Sequence, residues 1–168
     1  AANVFVPKEG AACAAGERPL PAYKIKMVGK IKVGILGLTT DRGPQVVGST
    51  VTRGLCFLKN GDELDAEVAQ QVAHLRNDLK VNLLVLASEM GLANNIRIAE
   101  QVDGIDVVLS SDMHETTASA VLATNKSSGR KTIVVEEGQD GTTLGKLSLS
   151  IKDNAVSKWD WQAFIVDD

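Results

Sequence analysis

No stretch of these 168 residues stays apolar long enough to cross a membrane. The longest apolar run, 81–87, is broken by Asn82 and is strand-sized, against the roughly 18 residues that a span needs. Charge of one sign is also missing. Lys and Arg number 18 against 21 Asp and Glu, a formal net charge of -3, which leaves no electrostatic footprint for nucleic acid or an anionic membrane surface. Internal repeats and low-complexity tracts are absent as well. Cysteine is scarce: Cys13 sits in a Gly/Ala-rich loop and Cys56 in an apolar stretch, without the paired spacing of a metal site. They read as an incidental thiol and a small buried hydrophobe, with a disulfide as the alternative if the protein is exported. No basic segment precedes a long apolar one, so no signal peptide is visible. The chain opens on Ala1-Ala2-Asn3-Val4 without Met and reads as a processed or cut piece.

What is present is ordinary globular material. Hydrophobic residues make up 44% and charged residues 23%, enough for one domain with a real core. Residues 3–6 read as a short strand and 8–21, rich in Gly, Ala and Pro, as an irregular excursion. Alternation over 22–28 predicts a half-buried strand, and Gly29-Lys30 predicts a hairpin turn into the almost wholly apolar Ile31–Leu38. A loop over 39–44 and a further strand over 51–58 follow. Asp62 is the expected N-cap of a helix whose Leu64, Val68, Val72 and Leu75 form one apolar stripe. His74 on that helix reads as a partly exposed residue with no ligand role. Next come a buried strand over 81–87, a helix over 92–102, buried strands over 105–109 and Lys131–Val135, an alternating strand over 144–151, and a final edge strand around Trp159, Trp161 and Phe164. Apolar strands alternating with helices imply an α/β fold with parallel pairing, and the alternating strands at both ends imply that the sheet is mixed.

In such sheets, ligands collect at the carboxyl ends of the strands. Three ends carry reactive groups: Ser88-Glu89-Met90-Gly91, then Ser110-Ser111-Asp112-Met113-His114-Glu115, then Glu136-Glu137-Gly138-Gln139-Asp140-Gly141. Neighbouring parallel strands bring Glu89 and the pair Asp112 and His114 to one edge, and carboxylates with an imidazole suit a divalent cation. A solvated surface cluster is the alternative.

The frame Ser88-Glu89-Met90-Gly91-Leu92-Ala93, then Ile98-Ala99-Glu100, then Gly104-Ile105-Asp106-Val107-Val108-Leu109-Ser110-Ser111-Asp112-Met113-His114-Glu115 resembles the SHxG and GHxH region of calcineurin-like metallophosphoesterases, especially bacterial 5'-nucleotidases and UDP-sugar hydrolases. Ala2-Asn3-Val4, the run Lys32-Val33-Gly34-Ile35-Leu36-Gly37-Leu38-Thr39-Thr40 and residues 138–149 resemble further segments of that family in the same order. The resemblance implies half of a four-layer α-β-β-α metallophosphoesterase sandwich. Residues 1–168 would be the C-terminal part of the metallophosphoesterase domain. The upstream D-x-H, G-D-x-x-D and G-N-H-E motifs do not occur in this chain, and the nucleotide-specificity domain would follow the linker expected at Asp167-Asp168.

The same resemblance implies Glu89, Asp112 and His114 as metal ligands, and divalent metal ions (Mn, Mg, Zn or Ca) as cofactors. Glu89 and Asp112 stand where the family has histidines; His114 keeps the family's residue. Two carboxylates for two imidazoles shift the preference towards harder cations. Asn94 and Asn95 would support Glu89 or begin the helix, and Glu115 would orient His114 or face solvent. The implied activity is hydrolysis of a nucleotide or another phosphoester in the periplasm or outside the cell, with the fragment inactive alone and dependent on the missing N-terminal half or another protein chain. The competing reading is a non-catalytic binding or structural module.

Overall fold

The computed structural model describes residues 1–139 and 141–166. Asp140, inside the loop expected to carry reactive groups, and Asp167-Asp168, where a linker is expected, lie outside the described residues.

In chain order the elements are β1 (Val4–Phe5), β2 (Tyr23–Val28), β3 (Ile31–Leu38), α1 (Gly43–Val46), β4 (Cys56–Phe57), α2 (Asp62–Ala73), β5 (Leu83–Ser88), α3 (Leu92–Gln101), β6 (Val107–Ser110), β7 (Val121–Thr124), β8 (Lys131–Val135), β9 (Thr143–Lys152) and β10 (Ala155–Ile165). Six strands form one sheet in the order β2-β3-β5-β6-β8-β7. β3, β5, β6 and β8 run parallel, and β2 and β7 close the two edges antiparallel. The sheet is therefore mixed, as expected, and the fold is α/β. β9 and β10 pair with each other in a separate two-stranded ribbon, and β1 pairs with β4 in another.

The apolar stripe does what its spacing dictates. Leu64, Val68, Val72 and Leu75 are buried with Ile98 and Ala99 of α3 against Leu84, Leu86, Val108 and Val134 of the sheet. Each such side chain contributes about 1.5–3 kcal/mol by leaving water. The opposite face of the sheet carries Val107, Ile133 and Val135, and the β9–β10 ribbon lays Leu147, Leu149 and Trp161 on it. The layers thus run helix, sheet, ribbon, with both longer helices on one side, which is half of the expected sandwich. Arg97 of α3 donates to both carboxylate oxygens of Asp65 on α2 at 2.7 and 2.7 Å. That pairing pushes the guanidinium pKa up from its ordinary value, and it locks the two helices together.

Several expectations need correcting. Only Cys56–Phe57 of the strand expected over 51–58 forms a strand; residues 51–54 are turns, with Gly54 at a φ of 80°. Gly61, not Asp62, is the N-cap of α2, and Asp62 opens its first turn, where a carboxylate suits the helix dipole. Beyond Ala73 that helix loosens into a π-helical turn over His74–Asp78. β7 was not expected: with only four residues of mixed burial it lacks a readable period. Cys13 and Cys56 form a disulfide with Cα atoms 5.8 Å apart. Neither is an incidental thiol, because folding the 8–21 excursion back over β4 brings together residues 43 apart in sequence. His74 is partly exposed, as expected: its Nε2 bonds with Tyr23 Oη at 3.0 Å, and its Nδ1 donates to Asp78 Oδ2 at 2.7 Å.

Candidate functional site

Because β3, β5, β6 and β8 are parallel, their carboxyl ends share one edge of the sheet. Leu38, Ser88 and Ser110 stand in register across three neighbouring strands. Thr39, Glu89 and Ser111 therefore leave the sheet side by side, and backbone bonds keep the tips together. Glu89 N–H donates to Leu38 O at 3.1 Å, Ser111 N–H to Ser88 O at 2.9 Å, and Gly91 N–H to Ser111 O at 3.0 Å. Gly91, with φ of 79°, caps α3, and a Cβ there would meet Met113 Cγ at 3.0 Å. A side chain would be strained by both its backbone and its neighbour.

Beneath the tips lies a buried polar floor. Ser110 Oγ donates to Glu136 Oε2 at 2.5 Å, and Glu115 N–H donates to Glu136 Oε1 at 3.0 Å. Asn95 Nδ2 donates to Ser110 Oγ at 2.8 Å and to Ser88 O at 3.3 Å. Asn95, Ser110 and Glu136 are 0%, 3% and 1% exposed, so water cannot substitute for any of these bonds. Asn95 Oδ1 is the one buried side-chain polar atom without a partner among the described residues.

This floor fixes the loop that carries Asp112 and His114. Both have left-handed backbones, φ 105° and 57°, which cost of order 1–3 kcal/mol where the surroundings enforce them. Asp112 Oδ2 accepts from Arg42 Nη2 at 2.5 Å. Glu89 is exposed, and its Oε2 accepts from the Thr39 hydroxyl at 2.8 Å. His114 is exposed on the same loop. Glu89 lines a cleft of about 650 Å³ between the strand tips and the ribbon, together with Ser88, Ser111, Glu137, Thr143 and Trp161. Asp112 lines a neighbouring hollow of about 330 Å³ with Arg42, Gly91, Met113 and Glu115.

The strand order thus brings the three expected ligands to one edge, but it does not gather them into a closed cage. Among the described residues, no group of three His, Cys, Asp or Glu side chains is placed to hold a metal ion. Two carboxylates and an imidazole suit a hard or borderline divalent cation, so they fit as part of a site completed by other residues. They do not fit as a site of their own.

Glu115 is half-buried, and its Oε2 accepts from Leu92 N–H at 2.8 Å, capping α3. Asn94 does belong to the helix start, donating to Met90 O at 2.9 Å. Asn95 instead ties β5 to β6. The sequence pattern assigns Arg42 and Thr39 no role and shows Glu136 only as the first group of a polar strand-end loop. The signal for the first two was their place just past Ile31–Leu38, a fourth strand end at the same edge.

No family model matches the chain. Over 145 residues it is 31% identical to the snake venom 5'-nucleotidase of Naja atra, covering 78% of this chain and 26% of that protein. The chain belongs to the 5'-nucleotidase family. Solved structures share its fold. The sulfate thiohydrolase SoxB of Thermus thermophilus superposes with a TM-score of 0.80 at 22% identity, over 98% of this chain and 27% of that one. A 5'-nucleotidase precursor, also from Thermus thermophilus, gives 0.78 at 20% identity, over 98% and 32%. The chain spans about a quarter of the length of the family's curated snake venom members that it matches. No helix among the described residues is long and apolar enough to cross a membrane.

Proposed function

We propose that this chain is the C-terminal part of the metallophosphoesterase domain of a two-metal phosphoester hydrolase acting on nucleotides or related phosphoesters. Glu89, Asp112 and His114 are its contribution to the metal ligands. The remaining ligands belong to an N-terminal half carried on a further segment or another chain, and this fragment is inactive by itself. Divalent metals (Mn, Mg, Zn or Ca) supply, when bound, the charge that binds phosphate, activates water and stabilises the leaving oxygen.

The observation that carries this reading is the loop over 111–115. A member of the 5'-nucleotidase family holds two left-handed residues, Asp112 and His114, at the tip of β6, level with Glu89 at the tip of β5. A strained backbone pinned from below by a buried network is the kind of device that keeps ligands aimed before a cation arrives. The chain's own work is to hold these groups at the sheet edge: Thr39 restrains Glu89, and Glu136 anchors the backbone of Glu115 next to His114. The disulfide between Cys13 and Cys56 supports a periplasmic or secreted location, since such bonds persist in oxidising compartments.

The test uses the whole protein that contains this chain. Purified and loaded with manganese, it should retain about two equivalents and cleave AMP or p-nitrophenyl phosphate. Glu89→Ala and His114→Ala should each lower both metal content and turnover while leaving the thermal unfolding midpoint nearly unchanged. A metal-free, inert wild-type protein would reject the hydrolase reading in favour of a binding scaffold.

A further inference from the structure

Two tryptophans stand two residues apart on β10, and the structure uses them differently. Trp161 packs against the sheet, and its Nε1 donates to Thr117 O at 2.8 Å. Trp159 is 41% exposed, and its indole N–H has no partner among the described residues. A β-bulge between Val156 and Lys158 sets this arrangement. Strict alternation would send Val156 and Trp159, three residues apart, to opposite faces. The extra residue restores the parity, so Val156, Trp159 and Trp161 stand opposite Ile151, Leu149 and Leu147 on the inner face of the ribbon. Bulges of this kind re-aim a side chain. Here the indole comes to line a hollow of about 250 Å³ between ribbon and sheet, with Leu122, Ile133, Arg130 and Lys131.

The walls of this hollow are apolar, and its rim carries surplus positive charge. Leu122 of β7 pairs with Ile133 of β8 to form the floor. Asp106 also lines the hollow, but Arg76 Nη2 at 2.5 Å and Leu84 N–H at 2.8 Å already occupy its Oδ2. Arg130 reaches Asp106 Oδ1 at 3.3 Å and Asp103 Oδ1 at 3.9 Å, and Lys131 forms no ion pair among the described residues. Arg76, Arg130 and Lys131 thus face two carboxylates. The hollow opens at the amino ends of β6 and β8, the edge of the sheet opposite Glu89, Asp112 and His114. We propose that it binds a small planar aromatic acid, with the ring against Trp159 and the anionic group towards Lys131 and Arg130. The hollow is smaller than the roughly 300–1,000 Å³ of pockets for drug-sized ligands, which limits its occupant to about one ring. An uncovered indole favours a flat ring as partner, and charge-assisted hydrogen bonds hold the acid end. The site stands independently of the hydrolase reading.

Saturation-transfer NMR on the whole protein that contains this chain, with benzoate as the probe, measures occupancy without turnover. Benzoate should receive saturation. Benzyl alcohol, the same ring without the charge, should bind at least roughly tenfold more weakly, the scale of one hydrogen bond to a charged group. Lys131→Glu, at an exposed position, should weaken benzoate by a similar factor. Trp159→Leu should do the same, whereas Trp159→Phe, which keeps a ring, should bind nearly as well as wild type. If Trp159→Leu fails to fold, the Lys131 variant and the comparison of the two probes carry the test. Glu89→Ala, at the opposite edge, should leave benzoate binding unchanged whether or not the protein cleaves phosphoesters. Four results would each overturn the proposal: no transfer to benzoate, equal binding of the two probes, benzoate binding untouched by Lys131→Glu and Trp159→Leu, or its loss in Glu89→Ala.

Discussion

Ser110 gives its hydroxyl hydrogen to Glu136 Oε2 at 2.5 Å at the buried end of β6. Glu136 uses its other oxygen to hold Glu115 N–H at 3.0 Å. One carboxyl group thereby clamps the end of β6 and the far end of the 111–115 loop together. Removing it leaves the Ser110 O–H and the Glu115 N–H without their acceptors, and each such orphan costs about 1–3 kcal/mol. Glu136→Ala should destabilise the protein by about 2–4 kcal/mol, measured as a loss in the urea midpoint at constant slope. Glu136→Gln keeps the shape and one acceptor, and should cost about 1 kcal/mol. If the two variants unfold together with wild type, the floor does not hold the loop.

Asp112 offers the opposite sign. Its φ of 105° belongs to a region that suits glycine. The pair that it forms with Arg42 has a guanidinium 46% exposed, and partly solvated pairs contribute only about 0–1 kcal/mol. Asp112→Gly should therefore raise stability, or at least hold it, with a gain of about 1 kcal/mol from relief of the backbone, while metal affinity at that position falls. Asp112→Val, which keeps the strain and loses the pair, should be the less stable of the two. A glycine variant markedly less stable than wild type would show that the loop conformation is not strained.

Much of this architecture was legible because period reports burial. The run Ile31–Leu38 reads as a strand, and Leu64, Val68, Val72 and Leu75 read as one helix face; both readings hold, with Leu36 and Leu38 in the core and Ile31, Ile35 and Gly37 on the strand's other face half-buried. Strand ends gave the edge on which Glu89, Asp112 and His114 stand, since parallel pairing puts all carboxyl ends together. What stayed hidden depends on distant loops. Arg42 reaches Asp112 across 70 residues, and Cys13 reaches Cys56 across 43; no local spacing encodes either contact. Glu136 is hidden for a subtler reason. As the first residue past β8 it reads as part of the polar loop, yet the pairing of Thr117 N–H with Glu136 O at 2.8 Å draws it back under the sheet edge.

The disulfide gives a third prediction. It closes a loop between residues 43 apart, and the chain-entropy estimate for a loop of that size is about 4 kcal/mol. The bond also holds β4, whose Phe57 seats Gly43, the residue that follows Arg42 and opens α1. Reduction with dithiothreitol should lower the thermal midpoint substantially, and Cys13→Ser/Cys56→Ser should reproduce the shift. Identical melting with and without reductant would mean that the two sulfurs are not joined in solution.

The β9–β10 ribbon carries the last. Its inner face is committed, with Leu147, Leu149 and Trp161 packed on Val107, Ile133 and Val135. Its outer face is polar along most of its length, at Lys146, Ser148, Asp160 and Gln162, but it ends in the cross-strand pair Leu144 and Phe164, which are 62% and 46% exposed. Ile165 is 80% exposed and Leu109, on the sheet beside the ribbon, 44%. A two-stranded ribbon is marginal in water by itself, and open strand edges with bare apolar side chains invite association. Under the proposed reading this is ground that the other half of the sandwich covers. The chain alone should therefore associate with itself as its concentration rises, seen as growing mass by light scattering. Leu144→Lys/Phe164→Lys should shift it towards monomer without unfolding it, because neither side chain belongs to the core. A monodisperse monomer across the concentration range would mean that this end of the ribbon is a finished surface and that the apolar pair faces water by default.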